Sequence, residues 1–211
     1  MNAGHTVYTK FVLSIYDWWV LGFSNACLWK CPTTLLESEF KKNATPNHLD
    51  VGVGTGYFPH KCLPDKTRRL ALLDLNQNSL ERTASRVSRF KPELYQADVL
   101  DPLSLPCDMF DSISLFYLIH CLPGAFEKKS QIFNELKKYL RPGGMLFGST
   151  ILGKDVPDIG FFAKKLMAVY NEKGIFCNYD DSLDALSAAL NENFASVDIR
   201  MVGCVAIFSC V

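Results

Sequence analysis

Hydrophobic and polar positions change rhythm twice along this chain. Over the first forty-odd residues apolar side chains recur at helical spacing: Phe11, Ile15, Trp18 and Trp19, joined by Tyr8, Tyr16, Phe23 and Trp29. Cys31-Pro32-Thr33-Thr34 breaks that segment, residues 35–42 read as a second short helix, and residues 43–47, with Pro46, as a loop. From His48 onward short apolar runs alternate with amphipathic ones. The pattern predicts strands at 49–53, 69–75, 93–97, 110–116 and 145–151. A helix opens near Tyr57. Another, capped at Asn78-Ser79, turns Leu80, Ala84 and Val87 inward and leaves Arg82, Arg86 and Arg89 as a solvated stripe. Residues 125–140 form an amphipathic helix with Phe126, Ile132, Phe133, Leu136 and Leu140 inward, stopped by Pro142-Gly143-Gly144.

Strands alternating with helices imply a parallel sheet covered on both faces, an α/β fold. The end of the chain differs. After helices at 159–172 and 182–192, strands at 195–202 and 204–210 are separated only by Gly203. Parallel neighbours need a long crossover, so this last pair must be an antiparallel hairpin. The 211 residues suit one domain with an accessory segment. We expect a helical lid over 1–45 and the α/β core over 46–211.

Composition narrows the function classes. Twenty-two cations balance twenty-two anions, so no net field exists to hold a nucleic-acid backbone. The eight cysteines contain no Cys-x-x-Cys and no histidine at zinc spacing, and read as small apolar thiols in a reducing compartment. Residues 1–10 are polar with no cationic flank, and the apolar run 18–23 is too short to span a bilayer. A soluble cytoplasmic protein is expected, a monomer or homodimer with neither membrane nor nucleic-acid partner.

The informative block is His48-Leu49-Asp50-Val51-Gly52-Val53-Gly54-Thr55-Gly56, a strand running into a glycine turn. Alternating glycines let the backbone bend sharply and approach a ligand. A dinucleotide fingerprint would place its third glycine one residue later, where Tyr57 stands. Asp50, just before the turn, would repel a pyrophosphate and favour a cationic cofactor. A nicotinamide oxidoreductase is therefore disfavoured.

This turn resembles motif I of the class I S-adenosylmethionine-dependent methyltransferases. Asp74, ending the second strand, resembles the acid that binds the ribose hydroxyls in that family. Asp98, in Gln96-Ala97-Asp98-Val99, resembles its adenine-contacting acid. Residues 110–116 are similar to motif IV and Leu140-Arg141-Pro142-Gly143-Gly144 to the turn before the fifth strand. The likeness covers residues 48–151 and the last fifteen. It implies a Rossmann-like, seven-stranded, mostly parallel sheet in three αβα layers with a C-terminal antiparallel hairpin. It implies S-adenosylmethionine as cofactor and S-adenosylhomocysteine as product. Tyr16, Asp50, Gly52, Gly54, Gly56, Asp74, Leu75, Asn76, Asp98, Val99 and Phe116 would then bind the cofactor.

Each residue also has a plainer reading. Asp74 suits a helix cap, Asp98 a turn, and Gly143-Gly144 and Asp111 structural roles. His120, just past the fourth strand, is the candidate general base, or else a packed histidine bonded to backbone. Tyr8, Trp18, Trp19 and Tyr117 would line the substrate site, under a lid that could equally be helices packed on the sheet. Asp180-Asp181 precede a capping Ser182, in the wrong region for a catalytic metal, and metal-independent chemistry is expected. With no amine-modifying or cytosine-modifying signature after the fourth strand, the resemblance implies a small apolar or aromatic metabolite, as in secondary metabolism. Oxygen is the favoured acceptor over nitrogen or carbon. The alternative is a protein of the same fold that binds the cofactor without transferring methyl, or a partner subunit.

Overall fold

The computed structural model describes residue 25, residues 27–157 and residues 159–211. Tyr8, Tyr16, Trp18 and Trp19, and with them most of the expected lid, lie outside the described residues. The described chain begins its regular structure with α1 (Thr33–Asn43), followed by β1 (Asn47–Val51) and α2 (Tyr57–Cys62). Next come β2 (Arg69–Asp74), α3 (Gln77–Arg86), β3 (Glu93–Gln96) and β4 (Phe110–Phe116). The rest are α4 (Phe126–Lys129), α5 (Gln131–Lys137), β5 (Leu140–Ile151), α6 (Phe161–Glu172), α7 (Leu183–Asn193), β6 (Val197–Val202) and β7 (Val205–Cys210).

The seven strands form one sheet in the order β3-β2-β1-β4-β5-β7-β6. β7 runs antiparallel between β5 and β6, and the remaining neighbours are parallel. This is the Rossmann-like methyltransferase sheet. On one face Leu49, Val51, Ile113 and Leu115 pack against Phe133 and Leu136 of α5 and Leu186 and Leu190 of α7. On the other, Leu70, Leu72, Phe116 and Phe147 meet Phe40 of α1, Phe58 of α2, Leu80 of α3 and Met167 of α6. Three αβα layers follow from the period-two alternation of the strands.

Two expected boundaries move, each for a local reason. The helix expected over 125–140 is two helices meeting at Ser130, whose hydroxyl bonds back to the Glu127 carbonyl. Nor does Pro142-Gly143-Gly144 precede the fifth strand; it bulges inside β5. Phe110 pairs with Leu140 and Ser112 with Met145, and Gly143, at φ 75°, loops out the extra residues. The hairpin expected around Gly203 is present, with the turn set by that glycine at φ 58°. A Cβ there would lie 2.1 Å from the Trp29 carbonyl oxygen, so only glycine lets this strap cross the hairpin.

Two charged groups of the interior pair with each other. Lys129, wholly buried, holds both carboxylate oxygens of Asp181 at 2.8 and 2.9 Å. That pair fixes the segment after α6 against α4. Ser182 caps α7 as expected, accepting the Ala185 N–H at 3.1 Å. Asp111 is likewise structural, paired with Arg141 at 3.0 Å.

Candidate active site

β1 and β4 are adjacent, while β2 and β3 turn away on the far side of β1. Such a switch point leaves a crevice beyond the carboxyl ends of the strands. The glycine turn after β1 forms its floor. Gly52, Gly54 and Gly56 have φ of 71°, 51° and 72°, conformations that a side chain strains. Their surroundings differ. A Cβ on Gly52 would come within 2.8 Å of Leu118 and one on Gly56 within 2.6 Å of Thr83, whereas Gly54 has nothing within 4 Å. Gly52 and Gly56 are glycine because protein packs on them; Gly54 alone borders open space.

The turn is tied down from α3. Arg86 donates to the Thr55 carbonyl at 3.1 Å, and Arg89 donates to that of His60 at 2.9 Å. The arginine stripe expected to be merely solvated thus anchors the turn and α2. The cap expected at Asn78-Ser79 is Asn76, whose side-chain oxygen accepts the N–H groups of Asn78 and Ser79.

The three acids stand at the tips of three adjacent parallel strands. Asp74 accepts the Asn76 N–H at 2.8 Å and the Gly54 N–H at 3.4 Å, binding the end of β2 to the turn. Asp98, half-buried two residues beyond β3, accepts the Leu100 N–H at 2.9 Å. Leu75 lies beside them, its carbonyl held by Gln96 at 3.2 Å. The side chain of Val99 belongs to the core, so only its backbone can face a ligand. Phe116, at the end of β4, is buried with its ring 4.6 Å from that of Phe58.

Asp50 is the acid that differs. It is 5% exposed, and its bonded partner is the Ser114 hydroxyl at 2.5 Å. Burial pushes its carboxyl up to about 7, the neighbouring Asp74 charge adding to the rise against the bond from Ser114. A buried acid with a like charge nearby calls for a cation at the mouth of the crevice. The open side of Gly54, the carboxylates of Asp74 and Asp98, and this acid together suit an adenosyl group with an ammonium-bearing tail.

On the β4 and β5 side a cluster of aromatic rings packs behind the strand ends. Tyr117 sits at φ 57°, a left-handed conformation that costs a non-glycine residue about 1–3 kcal/mol. Its N–H donates to the Ser149 carbonyl at 2.9 Å, which holds it there. Its ring meets that of His120 at 5.6 Å, and His120 meets Phe176 edge-on at 4.5 Å. Tyr170 and Trp29 stand 5.0 and 5.9 Å from Phe176. His120 is buried, and burial with the Lys129 charge lowers its pKa to about 3. Its Nδ1 accepts the Ile151 N–H at 3.3 Å, so the ring's single proton is on Nε2. A neutral imidazole so bonded can donate through Nε2 but has no lone pair left to take a proton. It is a packed histidine bonded to backbone, the second of the two roles expected from the sequence.

Sequence reasoning missed Ser114, Phe176, Tyr170, Lys129 and the glycine-backing pair Leu118 and Thr83. It treated His48 as a strand opener; the structure places it fully buried between Ser112 and Ser114. A signal existed for this one: His-x-Asp on β1 pairs in register with Ser-x-Ser on β4.

A seven-stranded sheet with its last strands antiparallel and an acid-rimmed glycine turn at its switch point defines the class. Residues 49–146 match the methyltransferase-domain family model. The chain is 37% identical to a physcion biosynthesis cluster O-methyltransferase of Aspergillus chevalieri, over 98% of this chain and 94% of that one. It is 41% identical to the N-methyltransferase vrtF of Penicillium aethiopicum, over 85% and 76%. Its fold is like that of the N-methyltransferase NodS of Bradyrhizobium japonicum, solved with S-adenosylhomocysteine (TM-score 0.59, 16% identity, 84% and 85% covered). The chain belongs to the class I S-adenosylmethionine-dependent methyltransferases, and it is an enzyme that uses that cofactor.

The glycines separate binding from folding. Gly56→Ala is expected to destabilise the protein by about 1–3 kcal/mol, from overpacking against Thr83. Gly54→Ala should change stability less yet weaken S-adenosylhomocysteine binding at least tenfold; urea unfolding and calorimetry check both.

Stability should also fall with acid. His48 and His120, each lowered by burial to about 3, bind fewer protons folded than unfolded between pH 6.5 and that value. Their contribution is complete above 6.5 and is lost as pH falls toward 3. Asp50, raised to about 7, slopes the opposite way. Asp181, also raised by burial, slopes with Asp50. Glu93 and Glu135, lowered chiefly by bonds from Arg69 and Lys138, slope with the histidines. Lowered groups outnumber raised ones, so the urea midpoint should drop between about pH 6 and 4.

Proposed function

We propose that the enzyme methylates a hydroxyl oxygen of a small aromatic metabolite, without metal. The half-buried rings of Tyr117 and Tyr170, backed by the buried His120, Phe176 and Trp29, carry this reading. Edge-on and tilted rings favour a flat aromatic partner by offset and edge contacts, and they present no charge of their own. The A. chevalieri relative is named an O-methyltransferase and the P. aethiopicum one an N-methyltransferase, so either acceptor occurs at this level of likeness.

The bound cofactor supplies an electrophilic methyl on a sulfonium, which an oxygen lone pair displaces in line, leaving a neutral thioether. What falls to the chain is alignment and exclusion of water. Gly54 leaves the adenosyl portion its approach, Asp74 and Asp98 accept hydroxyl and amino protons, and Asp50 faces the amino-acid tail. Phe116 and Tyr117 border the transferring group. His120 acts as a donor. The phenol's proton passes to solvent before the site closes, and the His120 Nε2–H bonds and stabilises the phenolate oxygen that forms the new C–O bond as the C–S bond breaks. The side chain most suggestive of a metal, Asp181, has both oxygens engaged by Lys129.

The experiment is transfer from methyl-labelled cofactor to a panel of phenols, anilines and aliphatic alcohols, with product analysis by mass spectrometry. Label on phenolic oxygen is expected; label on nitrogen alone overturns the acceptor, and no transfer to any aromatic member overturns the substrate class. With a phenol that turns over, the kcat/KM profile should lack an inflection near pH 6.5, because the imidazole is already neutral. An inflection there that His120→Gln removes would restore the histidine as a base.

A further inference from the structure

One buried titratable side chain has no part in the chemistry above. His48 lies inside the sheet–helix interface, 5.3 Å from the Phe40 ring and 5.8 Å from that of Phe147, with both nitrogens bonded to hydroxyls. Nδ1 is 2.8 Å from the Ser112 Oγ and Nε2 is 3.0 Å from the Ser114 Oγ. Ser114 continues to Asp50 at 2.5 Å. At the other end Ser112 accepts the Thr45 N–H at 2.9 Å and lies 2.8 Å from the Thr45 hydroxyl, which bonds the Asn47 carbonyl at 3.0 Å. The result is an unbroken chain of hydrogen bonds from the amino end of the sheet to the acid beneath the cofactor crevice.

That chain has two arrangements in which every hydrogen has an acceptor. With Asp50 ionised, Ser114 donates to the carboxylate, His48 Nε2–H donates to Ser114, and Ser112 donates to Nδ1. With Asp50 protonated, Asp50 donates to Ser114, Ser114 donates to Nε2, Nδ1–H donates to Ser112, and Ser112 donates to Thr45. In both, the Thr45 hydroxyl donates to the Asn47 carbonyl and its N–H donates to Ser112. Every donor has an acceptor either way, and the 2.8 Å contact between the Thr45 and Ser112 hydroxyls carries a proton only in the second arrangement. The arrangements differ by one proton, and the imidazole keeps a single proton throughout, on Nδ1 in one and on Nε2 in the other.

We propose that His48 is a positioning residue for the cofactor, its tautomer switching with Asp50 so that the carboxylate is oriented and ionised when the ammonium of the cofactor's amino-acid tail arrives. The proposal rests on Asp50 facing that tail. The charge balance is simple: protonated Asp50 plus the ammonium gives carboxylate–ammonium contact and one proton released to solvent. The other titratable groups bearing on Asp50 are Asp74 at the tip of β2, which opposes its ionisation, and the Cys62 thiol of α2, itself pushed up to about 12 by burial. Phe40 and Phe147, the rings packed on His48, bring no charge.

The test is nitrogen–proton NMR of the histidine rings in the full chain at pH 6, with and without S-adenosylhomocysteine. Calorimetry in two buffers of different ionisation enthalpy accompanies it. The His48 proton is expected to move from Nδ1 to Nε2 on saturation, and close to one proton should be released, falling toward none above pH 8. Ser114→Ala, which cuts the chain beside the acid, should weaken S-adenosylhomocysteine about tenfold and leave the His48 tautomer indifferent to it. The same tautomer in free and bound wild-type protein overturns the switch. Asp50→Asn separates the two ideas. If it binds S-adenosylhomocysteine as tightly as the parent, the placement of the tail at Asp50 is wrong. If it binds at least tenfold more weakly while the wild-type tautomer stays fixed, the placement stands and the switch alone fails.

Discussion

Because β1 and β4 lie side by side although the chain visits β2 and β3 between them, two crossovers leave in opposite directions from one point in the sheet. The gap they leave is where ligand chemistry can be placed, and β1–β4 pairing determines which side chains border it. In register, His48 faces Ser112 and Asp50 faces Ser114, while Leu49 and Ile113 point to the opposite layer. A slip of one residue would bury Leu49 beside Asp50's present partners and push the acid into the other core. The polar chain therefore also fixes register, since only this pairing satisfies every one of its buried groups.

Much of this architecture could be read from the residues. Strand and helix alternation, the antiparallel hairpin at Gly203, the glycine turn and the three acids all come from local chemistry: period, turn residues and charge at fixed spacing. What escaped was non-local. Phe176 joins His120 because the Cys177 N–H bonds the His120 carbonyl at 2.8 Å and because Lys129 and Asp181, 52 positions apart, hold the segment down. Likewise, three glycines look alike in sequence, and only the neighbours Leu118 and Thr83 reveal that two are packed against and one borders open space. The split of the helix at Ser130, made by a bond within one turn, and the bulge at Gly143 in the strand pairing are small offsets on patterns that were correctly periodic.

The two buried histidines illustrate how position decides the role of one residue type. Both are held neutral by burial, so neither works as a pH-titrating base near neutrality. They differ in what their nitrogens meet. The Nδ1 of His120 accepts a backbone N–H that cannot reorient, which fixes its tautomer. Those of His48 meet hydroxyls, which turn freely between donating and accepting. One imidazole is therefore a fixed dipole and the other an adjustable one.

The electrostatics of the crevice are accordingly asymmetric. The β1–β3 side carries the acids, where a cationic cofactor tail and polar hydroxyls must be held. The β4–β5 side offers rings and neutral dipoles, where a sulfonium charge is to be extinguished. A reaction that consumes charge is not helped by fixed ions at the reacting centre, because they would favour the charged ground state over the dispersed transition state. In the proposed arrangement the carboxylates hold the adenosyl and amino-acid portions while the ring-lined side meets the methyl, in keeping with that requirement.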